Sequence, residues 1–90
     1  MLRPRSTGAF RKDRKRADRR GKDLKKLDTV MRRLANAEHL EARHRDHKLT
    51  GPWQDFRECH IEPDWLLIYR LATDEITFVR TGTHSDLFDE

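Results

Sequence analysis

Apolar residues along this chain follow two rhythms. Up to about residue 36 they recur at three- and four-residue steps, and after residue 52 they alternate or run together. Leu24, Leu27, Met31 and Leu34, with Val30 and Ala35 beside them, draw one stripe on a helix from about Lys22 to Asn36. Phe10, Arg14, Ala17 and Gly21 follow one face of an earlier helix that begins near Phe10. Ser6 or Thr7 can cap its start, and Gly21 is placed to stop it. One glycine between two such patterns reads as a helical hairpin. Ahead of it, residues 1–9 form a short extended lead-in: Pro4 and Gly8 discourage helix, and Arg3 and Arg5 suit an exposed edge strand.

Residues 37–52 are polar and rich in histidine. A short helical turn fits around Leu40, and Thr50, Gly51 and Pro52 break any longer pattern. Trp53 to Ile61 then mixes aromatic and polar residues in near alternation, and Glu62-Pro63-Asp64 signals a turn. Trp65 to Leu71 is a candidate buried strand, Ala72 to Glu75 turns the chain again, and Ile76 to Thr81 alternates until Gly82 ends it. Three strands on short turns predict an antiparallel meander. The expected fold is therefore α+β: one domain over residues 1–90, with the helical hairpin packed on one face of a small antiparallel sheet and the other face open.

Composition narrows the class. Hydrophobic residues make up 34% of the chain and charged residues 40%, so the core must be small. The longest apolar run, Trp65 to Tyr69, is far too short to cross a membrane. No apolar stretch follows the basic N-terminal residues, so no secretory signal is expected. The single cysteine, Cys59, excludes an internal disulfide. A soluble cytoplasmic protein is the expectation. Charge is strongly asymmetric. Residues 1–48 hold 17 Lys and Arg against 7 Asp and Glu, a net +10, whereas residues 49–90 hold 3 against 9, a net −6. A basic half of this kind suits a polyanion such as nucleic acid, or it is a well-solvated helical surface in which Asp13, Asp18, Asp23 and Asp28 pair with their neighbours. The basic stretch lacks the broad apolar stripe of a membrane-surface helix.

Five histidines are a high count for 90 residues. His47 precedes the meander, His60 lies near the end of its first strand just before the turn carrying Asp64, and His84 follows the last strand, four residues after Arg80. A meander can gather His60, Asp64, Arg80 and His84 on one surface. That set suits cleavage of an RNA phosphodiester without a metal or other cofactor. The attacking 2′-hydroxyl must lose a proton and the departing 5′-oxygen must gain one, and imidazole does either near neutrality. A guanidinium such as that of Arg80 stabilises the charge growing on the phosphoryl oxygens, and Asp64 can orient a neighbouring imidazole or act as a base. Trp65 and Phe88 offer rings on which bases stack. Each residue also has a plainer reading: surface histidines, Arg80 paired with Asp64 or Glu62, Asp64 shaping its turn, and Trp65 and Phe88 in the core with Trp53, Phe56, Tyr69 and Phe78. His44, His47, Cys59 and His60 do not make a metal site on this reading, because Cys59 and His60 are adjacent on a strand and point to opposite faces. Cys59 reads as a small buried residue.

Two blocks are distinctive enough to suggest a family. Asp46-His47-Lys48-Leu49-Thr50-Gly51, Trp53 and the run Phe56 to Tyr69 with its His60-Ile61-Glu62-Pro63-Asp64-Trp65 centre form one, and Arg80-Thr81-Gly82-Thr83-His84-Ser85-Asp86-Leu87-Phe88 forms the other. Together with the hairpin they resemble the YafQ toxins of the RelE/ParE superfamily over nearly the whole chain. The resemblance implies a microbial RNase fold and a ribosome-dependent, metal-independent mRNA endoribonuclease acting on translated message in the A site. It places the family's active-site set on His47, His60, Asp64, Trp65, Arg80, His84 and Phe88. His84 is then the principal acid/base, Arg80 the phosphate stabiliser, and Trp65 and Phe88 the RNA-facing aromatics. It implies a cognate antitoxin whose C-terminal segment covers the toxin and whose ribbon-helix-helix half binds operator DNA. Two non-enzymatic readings compete: a ParE-like gyrase inhibitor, and a ribosome-binding module that does not cleave. The lead-in Leu2 to Ser6 is poorer in β-branched residues than the family's usual first strand, and Pro4 lacks a ladder donor, which leaves the length and pairing of that strand open.

Overall fold

The computed structural model describes residues 1–88. Strand β1 (Arg3–Ser6) leads into helices α1 (Gly8–Arg19) and α2 (Leu24–Ala35). After a 3₁₀ turn at Ala42–His44 come β2 (His47–Lys48), a second 3₁₀ turn at Gly51–Trp53, the strands β3 (Arg57–Glu62), β4 (Trp65–Leu71) and β5 (Glu75–Gly82), and a final helix α3 (His84–Phe88). The five strands form one sheet in the order β1-β5-β4-β3-β2. The predicted meander is β3-β4-β5, antiparallel throughout. β1 forms at the sheet edge and runs parallel to β5, with Pro4 opposite Ile76. The edge location tolerates the missing proline donor.

Both helices carry the expected ends. Thr7 caps α1 by accepting a hydrogen bond from the Phe10 amide at 2.9 Å, and Asp23 caps α2 through the Lys25 amide at 3.0 Å. Each helix closes by pairing its two trailing amides with carbonyls of the last turn: Gly21 and Lys22 on Asp18 and Ala17, Ala37 and Glu38 on Leu34 and Arg33. That closure requires a left-handed residue one past the cap. Gly21 (φ 78°) supplies it without strain, and Ala37 (φ 58°) supplies it with a Cβ.

One face of the sheet holds the main core. Phe10, Ala17, Leu27, Val30 and Leu34 of the helices pack on Cys59, Ile61, Trp65, Leu67, Tyr69, Ile76 and Phe78. The α1 face is slightly rotated from expectation: Phe10, Asp13 and Ala17 are the buried residues, and Arg14 is only half-buried. Two further expectations are corrected. The first meander strand begins at Arg57, not Trp53, because Gly51-Pro52-Trp53 winds into a 3₁₀ turn with Gly51 at φ 64°. The second sheet face is not wholly open either. Leu66, Ile68 and Leu87 are buried there, with Leu49, Trp53, Phe56, Val79 and Phe88 around them. Trp53 and Phe56, expected in the core, are the half-buried rim of this second cluster. What remains uncovered is the part of that face bearing β2 and the ends of β3 and β5.

Candidate active site

β-strand alternation sends Glu58 and His60 of β3 to the second face, opposite to Cys59 and Ile61. Cross-strand register then sets two rows. In one, Arg80 stands opposite Ile68, Ile68 opposite Glu58, and Glu58 opposite His47. In the next, His60 stands opposite Leu66 and Leu66 opposite Gly82. The short strand β2, absent from the sequence-based expectation, is what brings His47 beside Glu58. An irregularity in the register at Ile68/Tyr69 leaves Val79 as the extra residue on β5 and aims Arg80 onto this face. The rings of His47 and His60 lie 6.5 Å apart, and those of His60 and His84 5.9 Å apart. The structure therefore brings His47, His60 and His84 together, with Asp64 on His84 and Arg80 in the adjoining row, and one residue selected from the sequence is turned away from them.

That residue is Trp65. It was expected to face RNA, but its ring is 1% exposed and its Nε1 donates to Thr81 Oγ1 at 3.0 Å, so it is a core residue that cannot offer a face to a base. Strand parity decides this: Trp65, Leu67 and Tyr69 share the helix-facing side of β4. Phe88 is half-buried, with its ring edge-on to Trp53 at 5.7 Å.

Each imidazole is oriented through the same atom. His84 Nδ1 donates to Asp64 Oδ1 at 2.6 Å, and the His84 amide donates to the same oxygen at 2.9 Å. His60 Nδ1 donates to the Pro63 carbonyl at 3.3 Å, and His47 Nδ1 to the Arg45 carbonyl at 2.6 Å. A carbonyl or an ionised carboxylate only accepts, so Nδ1 carries the proton in each, and Nε2 of His47 and His84 is left to work, while Nε2 of His60 faces Glu58. The two hydrogen bonds from His84 hold the Asp64 carboxyl below the usual carboxylate range, so it stays ionised at neutrality. Asp64 is thus both a turn residue and a clamp on His84.

Several functional neighbours went unnoticed in the sequence. Glu58 is 6% exposed, with Oε1 3.3 Å from His60 Nε2. Asp13, 5% exposed on α1, takes Arg80 Nε at 2.6 Å and Arg80 Nη2 at 3.1 Å. It also accepts from the Thr81 amide at 3.1 Å and from Arg16 at 3.1 Å. Arg80 therefore pairs with neither Asp64 nor Glu62. Its side chain is 30% exposed and fixed from behind by Asp13, whose hydrogen bonds raise the guanidinium's already high pKa. Glu62 is taken by Lys22 and Lys26, at 3.1 and 2.9 Å. His44 Nδ1 donates to the His60 carbonyl at 2.7 Å, and Asp46, bonded by the Tyr69 hydroxyl and 3.4 Å from Arg57 Nη2, steadies the entry to β2. Apart from Glu58 with His60 and Asp13 with Arg16, which are near neighbours in the chain, none of these pairings is visible in sequence spacing, because each joins residues ten or more positions apart.

α3 was also unexpected, since five residues make too short a pattern to recognise. One signal was available: Thr83-x-x-Asp86 is the form of a reciprocal cap. The Asp86 amide donates to Thr83 Oγ1 at 3.0 Å, and the Thr83 amide donates to Asp86 Oδ2 at 3.0 Å. Arg20 grips the same carboxylate at 2.7 and 3.3 Å. Gly82 lets α3 come this close: a Cβ there would meet Asp86 Oδ2 at 2.9 Å and its Cβ at 3.0 Å. The reciprocal cap starts α3 at His84 and aims that residue at Asp64.

Among the described residues, one set of donors could hold a cation. Glu58, His60 and His84 each offer a ligand atom, all within 4.8 Å of one another. One carboxylate and two imidazoles suit a borderline transition metal such as zinc or copper. This is a different set from the His44, His47, Cys59 and His60 weighed from the sequence. Cys59 is buried on the helix side, where burial first and nearby carboxylates second push its thiol well up.

Three imidazoles anchored through Nδ1, with His60 Nε2 against Glu58, and a guanidinium, on a small α+β sheet with a basic hairpin, define a nuclease-like class of site. The chain is matched over residues 2–89 by the model of a bacterial toxin of type II toxin-antitoxin systems, YafQ. It is 46% identical over 83 residues to the mRNA interferase toxin YafQ of Escherichia coli K12, spanning 91% of this chain and 90% of that one. Among solved structures, a copper-bound mutant toxin from Helicobacter pylori superposes with a TM-score of 0.93 at 40% identity, covering 98% of this chain and 100% of that one. The toxin in the E. coli DinJ-YafQ complex gives 0.90 at 43% identity, with 98% and 99% covered. The chain belongs to the YafQ family of toxins.

Proposed function

We propose that this toxin is an mRNA endoribonuclease that acts on message engaged with the ribosome, cleaving by proton transfer between histidines. The observation that carries the reading is the Nδ1 anchoring of His47, His60 and His84, which leaves Nε2 of His47 and His84 open and sets Nε2 of His60 against Glu58, around one scissile phosphate. One imidazole takes the proton of the 2′-hydroxyl as that oxygen attacks phosphorus. A second, protonated, delivers a proton to the departing 5′-oxygen, leaving a 2′,3′-cyclic phosphate and a free 5′-hydroxyl. His84, clamped by Asp64, is the principal acid/base, and His60 works beside it. Glu58 lies where an imidazolium formed at His60 would be stabilised. Arg80, braced by Asp13, meets the charge on the phosphoryl oxygens. Phe88 at the rim is the stacking surface for a base, with Trp65 supporting the sheet beneath. These groups supply both proton transfers and the charge stabilisation, so the step needs no metal.

As in the DinJ-YafQ pair of E. coli, the partner that restrains the toxin is a cognate antitoxin, expected to carry a ribbon-helix-helix half that binds operator DNA. Among the described residues, no helix is long and apolar enough to cross a membrane. This is consistent with a cytoplasmic site of action.

Primer extension on a translated message tests the reading. The wild-type chain should cut within codons, and His84→Ala should lower the rate roughly 10²–10⁴-fold while leaving the melting temperature nearly unchanged. A fully active His84→Ala sinks the mechanism, and arrest with DNA damage but no message cuts would favour the gyrase-directed alternative.

A further inference from the structure

Behind the histidines, between the 3₁₀ turn Ala42–His44, the Glu62-Pro63 corner and α2, lies a cavity of about 410 Å³. A neighbouring hollow of about 240 Å³ shares Lys26, Arg43 and His44 with it. The larger cavity meets the candidate active site at His60 and at Pro63, whose carbonyl orients the His60 ring. Its volume falls within the range of small-ligand pockets.

The lining is cationic. Lys26, Arg43 and Arg45 all border the cavity, and Glu62 is its one carboxylate among the described residues. Glu62 offsets only one of these three charges, and it is shared between Lys26 and Lys22, the latter outside the cavity, so the lining stays positive. Arg43 lies 3.2 Å from Glu41, but its side chain is 73% exposed and able to swing. The Arg45 guanidinium has no ion pair or hydrogen bond among the described residues.

Arg45 is also unusual in its backbone. It sits at φ 48°, ψ 45°, the left-handed region that favours glycine or asparagine. The backbone work done there is an amide bonded to the Ala42 carbonyl and a carbonyl accepting from His47. Glycine would do both with less strain. The local fold gives no reason for a long cationic side chain at this position, whereas an anion in the adjoining cavity does.

We propose that this cavity is an RNA subsite that receives a phosphate-bearing nucleotide next to the scissile phosphate, with Arg45 its principal anion contact. The proposal rests on the nuclease reading above. The phosphate belongs either to the message or to ribosomal RNA lining its path, and the chemistry of recognition is the same for both.

Arg45→Gly is the discriminating variant, because it relieves the backbone while deleting the cation. Its melting temperature should match or exceed the wild type. In the ribosome cleavage assay its KM should rise about tenfold, the loss expected for one charge-assisted contact, with kcat largely kept. Arg45→Lys should recover much of the KM. The double variant His84→Ala/Arg45→Gly, bound to ribosomes with and without message, separates the sources: weakening only with message assigns the phosphate to mRNA, and weakening in both assigns it to ribosomal RNA. An unchanged KM overturns the subsite. So does a fall in kcat alone, which would mean that Arg45 acts only by holding His47, and so does weakened antitoxin binding at unchanged KM, which would make the cavity a protein dock. Wild-type cleavage with any of these results removes the subsite and leaves the nuclease reading intact. A wild-type chain that cuts no message removes both.

Discussion

Single atoms decide how this site is set. His44, His47, His60 and His84 all commit Nδ1 to an oxygen, three to backbone carbonyls and one to Asp64. A count of histidines in the sequence finds the rings but not this commitment, because the acceptors come from turns and neighbouring strands. Trp65 shows the opposite failure. The family resemblance implied an RNA-facing ring, yet parity along β4 turns it inward, as the plainer core reading had it. Ala37 shows a cost accepted by a single residue. Its left-handed backbone closes α2 as Gly21 closes α1, but Ala pays for its Cβ there. Ala37→Gly should therefore stabilise the protein by about 0.5–1 kcal/mol, part of the relief being offset by the freer unfolded chain. In thermal melts this is a rise of roughly 3–6 °C. A drop would show that strain at Ala37 is not the controlling factor.

Elements place these atoms, and the short ones matter more than their length suggests. α1 and α2 were legible from their apolar stripes because amphipathic periodicity is a local property. β2 has two residues and α3 five, below the length at which periodicity can be seen, yet they carry His47 and His84. A five-residue helix has no stability of its own. α3 depends on Leu87 in the second cluster and on Asp86, which is tied to Thr83 and Arg20. Arg20, with the Thr83 hydrogen bonds, holds the Asp86 carboxyl well below the ordinary carboxylate range. A carboxyl depressed in the folded state stabilises fully above its unfolded pKa of about 3.9, and that stability is lost as pH falls through the lower folded value. The melting temperature should therefore fall steeply on acidification below about pH 4. Asp86→Asn should be less stable near neutrality and show a shallower acid limb. Melts from pH 2 to 7 check this, and parallel limbs in the two proteins would dismiss Asp86 as a main source.

Across the whole molecule, charge is divided between halves, +10 against −6, but folding spends part of the basic half. Arg14 pairs with Asp28, Arg16 with Asp13, Arg20 with Asp86, and Lys22 and Lys26 with Glu62. Lys12, Lys15, Arg19 and Lys25 keep no ion pair among the described residues and remain for phosphates. With about three to five phosphate contacts and a slope of ~0.7 per contact, binding of the His84→Ala variant to message-loaded ribosomes should weaken about 20- to 130-fold from 50 to 200 mM salt. Salt-insensitive binding would remove the hairpin from the RNA interface. The amino-acid order alone determined the helical hairpin, the meander, the α+β class and the pool of imidazoles, because periodicity, turn chemistry and residue type are properties of short segments. Only the tertiary structure decided that Trp65 is core, that Asp13 braces Arg80, that Glu58 lies against His60, and that Arg45 borders a cavity. Those relations join residues distant along the chain, and strand register, bulges and close helix approach set them only once the sheet has formed.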